Sequence, residues 1–341
     1  MSLIEAKHLT RHYKVLNHRE GLLGAMKDLF STDFKMVKAV DDISFDIQAG
    51  EIVGYIGPNG AGKSTTIKMM TGILKPTGGE LVIDGIVPYE NRKENVRNMG
   101  VIFGQRTQLW WDIPVIESLK ILKDIYEIDG PTYRQQLDLF NNLVDLQALY
   151  AVPVRKLSLG QRMLCDLAAA FLHNPKIILL DEPTIGLDIS VKSKIRAVIR
   201  KLNETQNTTI LLTTHDLGDV EALCQRLIII DKGQIIYDGD VNRVTGLFGS
   251  YRTLKVQIFG FSDETPALLR AKLGNHFGKG DGAIVVENTE PGWTDITVNQ
   301  KEVQLLDALS FLMAEFQVQD VRIVEVSMQS VVQKIYDGAL Q

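Results

Sequence analysis

The stretch EIVGYIGPNGAGKSTTIKMM, residues 51–70, constrains this chain more than any other. Within it Gly57, Pro58, Asn59, Gly60, Ala61, Gly62, Lys63, Ser64 and Thr65 fit the pattern G-x-x-x-x-G-K-[ST]. An apolar strand-like run precedes the pattern and the helical run TIKMMTGIL follows it, the context that separates a phosphate loop from a chance glycine turn. Glycines let backbone N–H groups turn inward on phosphate. A lysine at the place of Lys63 reaches the β- and γ-phosphates, and a hydroxyl at Ser64 meets Mg²⁺.

Further apolar runs, IILLD, TILLTTH and LIIID, interleave with helical patterns. That alternation predicts a largely parallel sheet covered by helices, an α/β fold, over about residues 1–245. Before the phosphate loop the spacing predicts a first strand near Leu9 and a second near Ile43 to Ile47. Between them HREGLLGAMKDLF places Leu22, Leu23, Met26, Leu29 and Phe30 on one helical face, an inserted amphipathic helix over about 18–31. It reads either as a surface helix packed on the sheet or as a docking element for a membrane partner. From Gly246 to the end, strand patterns (TLKVQIF, AIVVEN, TDITV, VQDVRIVEV) mix with helical ones (TPALLRAKLG, KEVQLLDALSFLMAEF). A small α+β domain is expected over 246–341, with SMQSVVQKIY as a final amphipathic helix, and its roles are packing, dimerisation or regulation.

A chain of 341 residues with 45% hydrophobic side chains has material for about two cores. Its formal charge of −5, from 37 basic and 42 acidic side chains, gives no global basic excess for nucleic acid or an anionic membrane. Cys165 and Cys224 sit in apolar helical patterns, favouring buried free thiols in a reducing compartment. No apolar run reaches the roughly 18 to 20 residues of a spanning helix, and MSLIEAKHLTRHY lacks a signal-peptide core. A cytoplasmic location is expected, with membrane contact through a partner or a surface helix.

Two more segments carry chemistry. KIILLDEPT ends a buried strand in Asp181, a carboxylate suited to the metal's outer shell, followed by Glu182, which can orient and polarise an attacking water. LLTTH ends another strand in His215, within reach of the γ-phosphate or that water by the same logic. Meanwhile KLSLGQRML sets Ser158, Gly160 and Gln161 at the start of a helical run, a second anion-suited helix N-terminus without a lysine of its own.

In this order the segments resemble the ATP-binding subunits of ABC transporters, over about Leu3 to Asp240. GPNGAGKST looks like Walker A, LSLGQ like the signature, IILLDE like Walker B, GLD (Gly186 to Asp188) like the D-loop, and TTHD like the H-loop. The signature carries Leu159 where the commoner LSGGQ has glycine. FGQRTQLWWDIPVIESL resembles the Q-loop, with Gln105 as the residue sensing metal and γ-phosphate and Gln108 as the alternative. Trp110 and Trp111 just beyond are either buried packing or a coupling surface, and tryptophan's enrichment at interfaces favours the latter. Tyr13 looks like the aromatic that stacks on adenine, with Phe34 as runner-up.

The resemblance implies a P-loop NTPase core with a RecA-like sheet, a helical subdomain over about 105–175, and ATP with Mg²⁺ as cofactors. Ser64, Gln105 and Asp181 are the implied metal-side residues, Lys63, Glu182, His215 and Gln105 the catalytic ones. It also explains the second helix N-terminus. In this family two nucleotide domains meet head to tail, so Ser158, Gly160, Gln161 and Asp188 would complete the partner's ATP site. One set of motifs implies pairing with a copy or a related subunit, on transmembrane permease subunits, at the cytoplasmic face of the membrane. The inserted helix and C-terminal extension resemble ATPases of drug-resistance, antibiotic and polysaccharide exporters, and FGQRTQLWWDIP a multidrug-type subfamily. The competing reading, a nucleic-acid or ribosome-associated ABC ATPase, calls for tandem domains, long coiled coils or basic extensions, and none is visible. A catalytically dead scaffold conflicts with the intact set Lys63, Asp181, Glu182 and His215.

Overall fold

A computed structural model of the chain describes residues 2–16, 34–104, 106–214, 216–248, 251–262, 264–278, 283–290, 292–324 and 335. The chain divides into two compact units, Met1–Val241 and Asn242–Gln341.

In the first unit, strands β3 (Ile52–Ile56), β5 (Met99–Phe103), β6 (Ile177–Asp181), β7 (Thr209–Thr213), β8 (Arg226–Asp231) and β9 (Gln234–Asp240) form one sheet. Their order is β5-β6-β7-β3-β8-β9. All neighbours are parallel except β8 and β9. The β-branched and leucine runs of β6, β7 and β8 are buried almost throughout, as expected of strands covered on both faces. The β8–β9 turn is closed by Lys232 and Gly233, both at positive φ, the pair a two-residue hairpin turn requires.

Strands β1 (Ser2–Leu16), β2 (Phe34–Gln48) and β4 (Gly78–Ile83) make a second, antiparallel sheet in the order β2-β1-β4. The strands expected near Leu9 and Ile43–Ile47 lie within β1 and β2, and their pairing continues out to Leu16 opposite Phe34. The extension is explained by the alternating pattern of RHYKVL and FKMVKAV, although its outer apolar residues Val15, Phe34, Met36 and Val37 are exposed. The predicted helix 18–31 lies outside the described residues, as does most of SMQSVVQKIY.

Helix α1 (Lys63–Met70) packs between these sheets. Ile67, Met69 and Met70 join Leu9, Ile43 and Ile83 from one sheet and Tyr55, Leu179, Leu211 and Ile228 from the other in one core. Burying these side chains contributes about 1.5–3 kcal/mol each, so α1 and the loop before it are held from both sides. Helix α2 (Arg92–Arg97) leads into β5. Between β5 and β6 lie α3 (Val115–Ile125), α4 (Gly130–Val144) and α5 (Leu159–Phe171), the helical stretch the sequence reading placed at 105–175. Helices α6 (Ile189–Gln206) and α7 (Leu217–Leu223) flank β7. Cys165 and Cys224 are buried free thiols, and burial pushes both up to about 12.

Helix α8 (Val241–Phe248) follows β9. In the second unit β10 (Tyr251–Ile258), β11 (Ile284–Glu290), β12 (Trp293–Asn299) and β13 (Val318–Val324) form an antiparallel sheet in the order β11-β12-β10-β13. Helices α9 (Thr265–Phe277) and α10 (Leu305–Glu315) close a core of Leu254, Val256, Leu269, Leu273, Ile296 and Leu312.

Candidate nucleotide site

The loop between β3 and α1 is fixed by backbone contacts that only glycine permits. A Cβ on Gly57 would lie 2.0 Å from the Ile230 carbonyl oxygen, and one on Gly62 would lie 2.4 Å from that of Ala39. Gly62, at φ 116°, caps α1 with no side-chain hydrogen bond, and the first turn holds no acidic residue. The first helical bond runs from the Thr66 N–H to the Gly62 carbonyl, so the N–H groups of residues 63–65 have no acceptor within the helix. Two cross-links brace the loop from behind: the Gly233 N–H donates to the Ala61 carbonyl and the Asp41 N–H to that of Gly233. The result is a rigid ring of donors at the positive end of a helix, an anion cradle.

Ala39, Asn59, Gly60, Gly62, Lys63, Ser64, Thr65, Gly104, Asp181 and Glu182 line a cavity of about 320 Å³ at this cradle. The Lys63 ammonium donates to the Gly57 carbonyl at 2.6 Å and to the Pro58 carbonyl at 3.0 Å. Burial pulls its pKa down, while the carboxylates of Glu182 and Asp181 hold it up. Asp181 ends β6, and its Oδ1 accepts from the Thr213 hydroxyl at the end of β7. Glu182 follows at φ 52°, left-handed backbone that glutamate adopts only when its surroundings enforce it. Those surroundings are explicit: its N–H donates to the Thr213 carbonyl at 2.9 Å, and the Asp181 carbonyl accepts from Gly104 at 2.8 Å.

The cavity therefore brings together Asn59, Gly60, Gly62, Lys63, Ser64, Thr65, Asp181 and Glu182, with Gly57, Pro58 and Ala61 shaping the loop. Ser158, Gly160, Gln161, Asp188 and Tyr13 do not line it. Ser158 caps α5 in a reciprocal box: the Gln161 N–H donates to its Oγ, and its own N–H donates to Gln161 Oε1. Asp188 caps α6, accepting from the Val191 N–H at 2.9 Å. The two helix starts abut, since a Cβ on Gly160 would come within 2.6 Å of Val191 Cγ1. Tyr13 lies on the β1–β2 ribbon opposite Val37, with the Arg11 guanidinium 4.7 Å from its ring centroid, and Phe34 is 46% exposed at the ribbon's end.

Gln105 and His215 fall outside the described residues. Gln108 faces α5: its side-chain amide donates to the Asp166 carbonyl and its N–H to Asp166 Oδ1, which also accepts from the Thr107 hydroxyl at 2.7 Å. Burial pushes Asp166 up to about 6 against those hydrogen bonds and the nearby Arg162 charge. Trp110 and Trp111 are 40% and 49% exposed, so neither is buried packing. Sequence reasoning overlooks Thr213 and Asp166. An acid inside the apolar run of α5 is the available signal for Asp166; a threonine at a strand end carries none.

No cluster of three or more His, Cys, Asp or Glu side chains among the described residues is arranged to hold a metal alone. Mg²⁺ keeps waters and takes phosphate oxygens with one or two protein oxygens. Ser64 and Asp181, a hydroxyl and a carboxylate on the same cavity, are oxygen donors of that kind.

A phosphate loop backed by a buried parallel sheet, with acids at the neighbouring strand end, defines a P-loop nucleotide-hydrolysing domain. The ABC transporter family profile matches residues 40–185. The ABC transporter ATP-binding protein NatA of Bacillus subtilis is 35% identical over 210 residues, covering 62% of this chain and 85% of NatA. The methionine import ATP-binding protein MetN of Histophilus somni is 31% identical over 235 residues, 68% of this chain and 67% of MetN. The dimeric post-hydrolysis structure of the ATP-binding cassette MJ0796 with ADP and Pi superposes with a TM-score of 0.57 at 26% identity, covering 70% of this chain and 98% of that one. The chain belongs to the ABC transporter ATP-binding proteins: it is an ATP-binding, ATP-hydrolysing subunit of a transporter. Subunits of this family work as dimers with transmembrane permeases. Among the described residues no helix is long and apolar enough to cross a membrane.

Proposed function

We propose that this subunit powers an exporter through ATP-driven closure of a homodimer, in which each chain completes the other's site. One observation carries the reading. The phosphate cradle and its acids share one cavity, whereas Ser158, Gly160, Gln161 and Asp188 cluster at two abutting helix starts outside it. The Ser158 hydroxyl and the N–H groups at the start of α5 are donors that suit a γ-phosphate held by a second copy.

In this scheme the loop N–H groups and Lys63 bind the β- and γ-phosphates, and Tyr13 stacks on adenine. Ser64, Asp181 and Gln105 would hold Mg²⁺, which neutralises charge developing on the phosphates. Glu182, fixed in its left-handed turn, orients and polarises the attacking water, and His215 contacts the γ-phosphate. Closure is favoured only while γ-phosphate bridges the two chains, so hydrolysis reopens the dimer. The exposed Trp110 and Trp111, next to the Q-loop, are the surface through which that motion reaches the permease at the cytoplasmic face. Domain roles follow: 1–245 acts as the ATPase and 246–341 as an accessory unit. Export, rather than import, is supported by the accessory unit and the insertion after β1. MetN is an importer by name, so overall likeness does not sort the two directions.

Purification of the tagged chain from detergent-solubilised membranes tests the partner. Co-purification of a polytopic membrane protein is expected; recovery with nucleic acid or ribosomes instead would refute the assignment. Vesicles reconstituted with that complex then accumulate or release substrate, which decides direction.

A further inference from the structure

Asp219 is a carboxylate with no exposed surface, in the first turn of α7, and none of the family motifs contains it. An acid at that place ordinarily serves the helix N-terminus from the surface. Here Asp216 already caps α7, accepting from the Gly218 N–H at 2.8 Å, so the cap leaves Asp219 unexplained. Its two oxygens are divided. Oδ1 takes the Arg196 guanidinium from α6, with Arg196 Nε at 2.6 Å. Oδ2 accepts two hydroxyls, from Thr184 and from Thr214 at 3.2 Å. Both threonines are 2% exposed.

These partners come from three places that matter. Thr184 lies two residues after Glu182. Thr214 and Asp216 flank His215, and the Thr214 oxygen also accepts the Asp216 N–H at 3.0 Å. Helix α6, which supplies Arg196, begins at the Asp188 cap, and its Lys192 pairs with Asp216 at 2.5 Å. Burying an acid is costly unless it is charge-paired and fully hydrogen-bonded, and a paired aliphatic residue would fill the same space at no such cost. What the carboxylate adds is a directional tie among three chain segments otherwise separate in sequence.

Resting on the reading of Glu182 and His215 given above, we propose that Asp219 is a positioning residue for hydrolysis. It locks the turn carrying Glu182 to Thr214 and, through the Thr214 oxygen, to Asp216, the two residues that flank His215 in sequence, and braces them on the helix that begins at the Asp188 cap. Thr184, Arg196, Thr214, Asp216 and Asp219 are not among the residues lining the cavity at the phosphate cradle. Loosening this network therefore displaces Glu182 from the attacking water, while the phosphate loop and Lys63, which hold the nucleotide, stay in place.

The full-length chain is assayed for ATPase activity, ATP affinity, thermal stability and amide exchange. Thr184→Val removes one hydroxyl and keeps the Asp219–Arg196 pair. It is expected to lower kcat roughly tenfold or more, the scale of a small misplacement of catalytic groups, with KM for ATP near wild type and Tm lowered by a few degrees, since the buried carboxylate loses one donor. Thr184→Ser returns kcat to near wild type. Thr184→Val is also expected to raise amide exchange over residues 213–219, across the gap in sequence. Asp219→Asn lowers kcat further, and if it fails to fold the threonine pair still decides. Unchanged kcat in Thr184→Val, or a loss that serine does not rescue and that tracks Tm, overturns the proposal. Failure of the underlying reading looks different: Glu182→Gln would then hydrolyse ATP at the wild-type rate.

Discussion

Replacing Asp166 with asparagine should stabilise this protein, and the amount can be worked from the site. Asp166 is 4% exposed inside α5, and burial raises its carboxyl from the ordinary 3.8 to about 6. The folded chain consequently binds more protons at this group than the unfolded chain does between those two values. Stability from this carboxyl is greatest below pH 3.8 and falls as pH rises through about 6, above which the whole penalty applies. A shift of about two units at 1.36 kcal/mol each makes that penalty about 3 kcal/mol. Asparagine keeps an oxygen for the Thr107 hydroxyl and the Gln108 N–H but carries no charge to desolvate. Its amide group beside Arg162 offsets part of the gain, so Asp166→Asn is expected to add about 1–3 kcal/mol at pH 8 and almost nothing near pH 4. Urea unfolding of both proteins at pH 4, 6 and 8 measures the difference directly. A variant less stable than wild type at pH 8, or a difference independent of pH, would refute the electrostatic reasoning.

His173 supplies the opposite slope. Half-buried against Tyr126 in a parallel ring stack at 4.1 Å, its imidazole is pulled down to about 4 by the loss of solvent, so the unfolded chain binds the proton first and stability falls as pH drops from about 6.5 toward 4. His173→Phe keeps the stack and should flatten that acid limb in thermal melts. Gly57→Ala, forced 2.0 Å from the Ile230 carbonyl, should cost about 1–3 kcal/mol and weaken ATP binding by displacing the loop, read by calorimetry. Lys63→Met keeps the apolar stem and removes the charge, and fluorescent ATP binding should be lost with little change in Tm. Tyr13→Ala should raise KM for ATP more than Phe34→Ala does; the reverse order would move the adenine contact to Phe34.

The parts of this protein legible in its sequence are those whose physics is local. The glycines at 57 and 62 are demanded by backbone oxygens nearby, and the buried strands β6, β7 and β8 advertise themselves as continuous apolar runs. Asp181 and Glu182 were visible because a strand end places them. The length of the β1–β2 ribbon was not, because RHYKVL and FKMVKAV alternate without a buried face to mark where a strand should stop. Nor were Thr107 with Asp166, or Thr184 with Asp219: each pair is joined only by folding segments far apart in sequence. The hydrogen bond from Gln108 to α5 and the exposure of Trp110 and Trp111 likewise depend on tertiary packing that no local pattern carries.

The central claim is that each ATP lies between two chains, on the cradle of one and against the Ser158 helix of the other. Mixing two disabled variants, Lys63→Ala and Gly160→Asp, tests it most directly. Neither can form a complete site with itself, but a mixed pair has one intact cradle facing one intact signature. The account predicts that mixing yields an ATP-bound dimer, by mass and by retained nucleotide, and restores hydrolysis absent from either variant alone. If the mixture stays as inactive and as free of ATP-bound dimer as its parts, or if Gly160→Asp alone hydrolyses ATP normally, the shared site is contradicted.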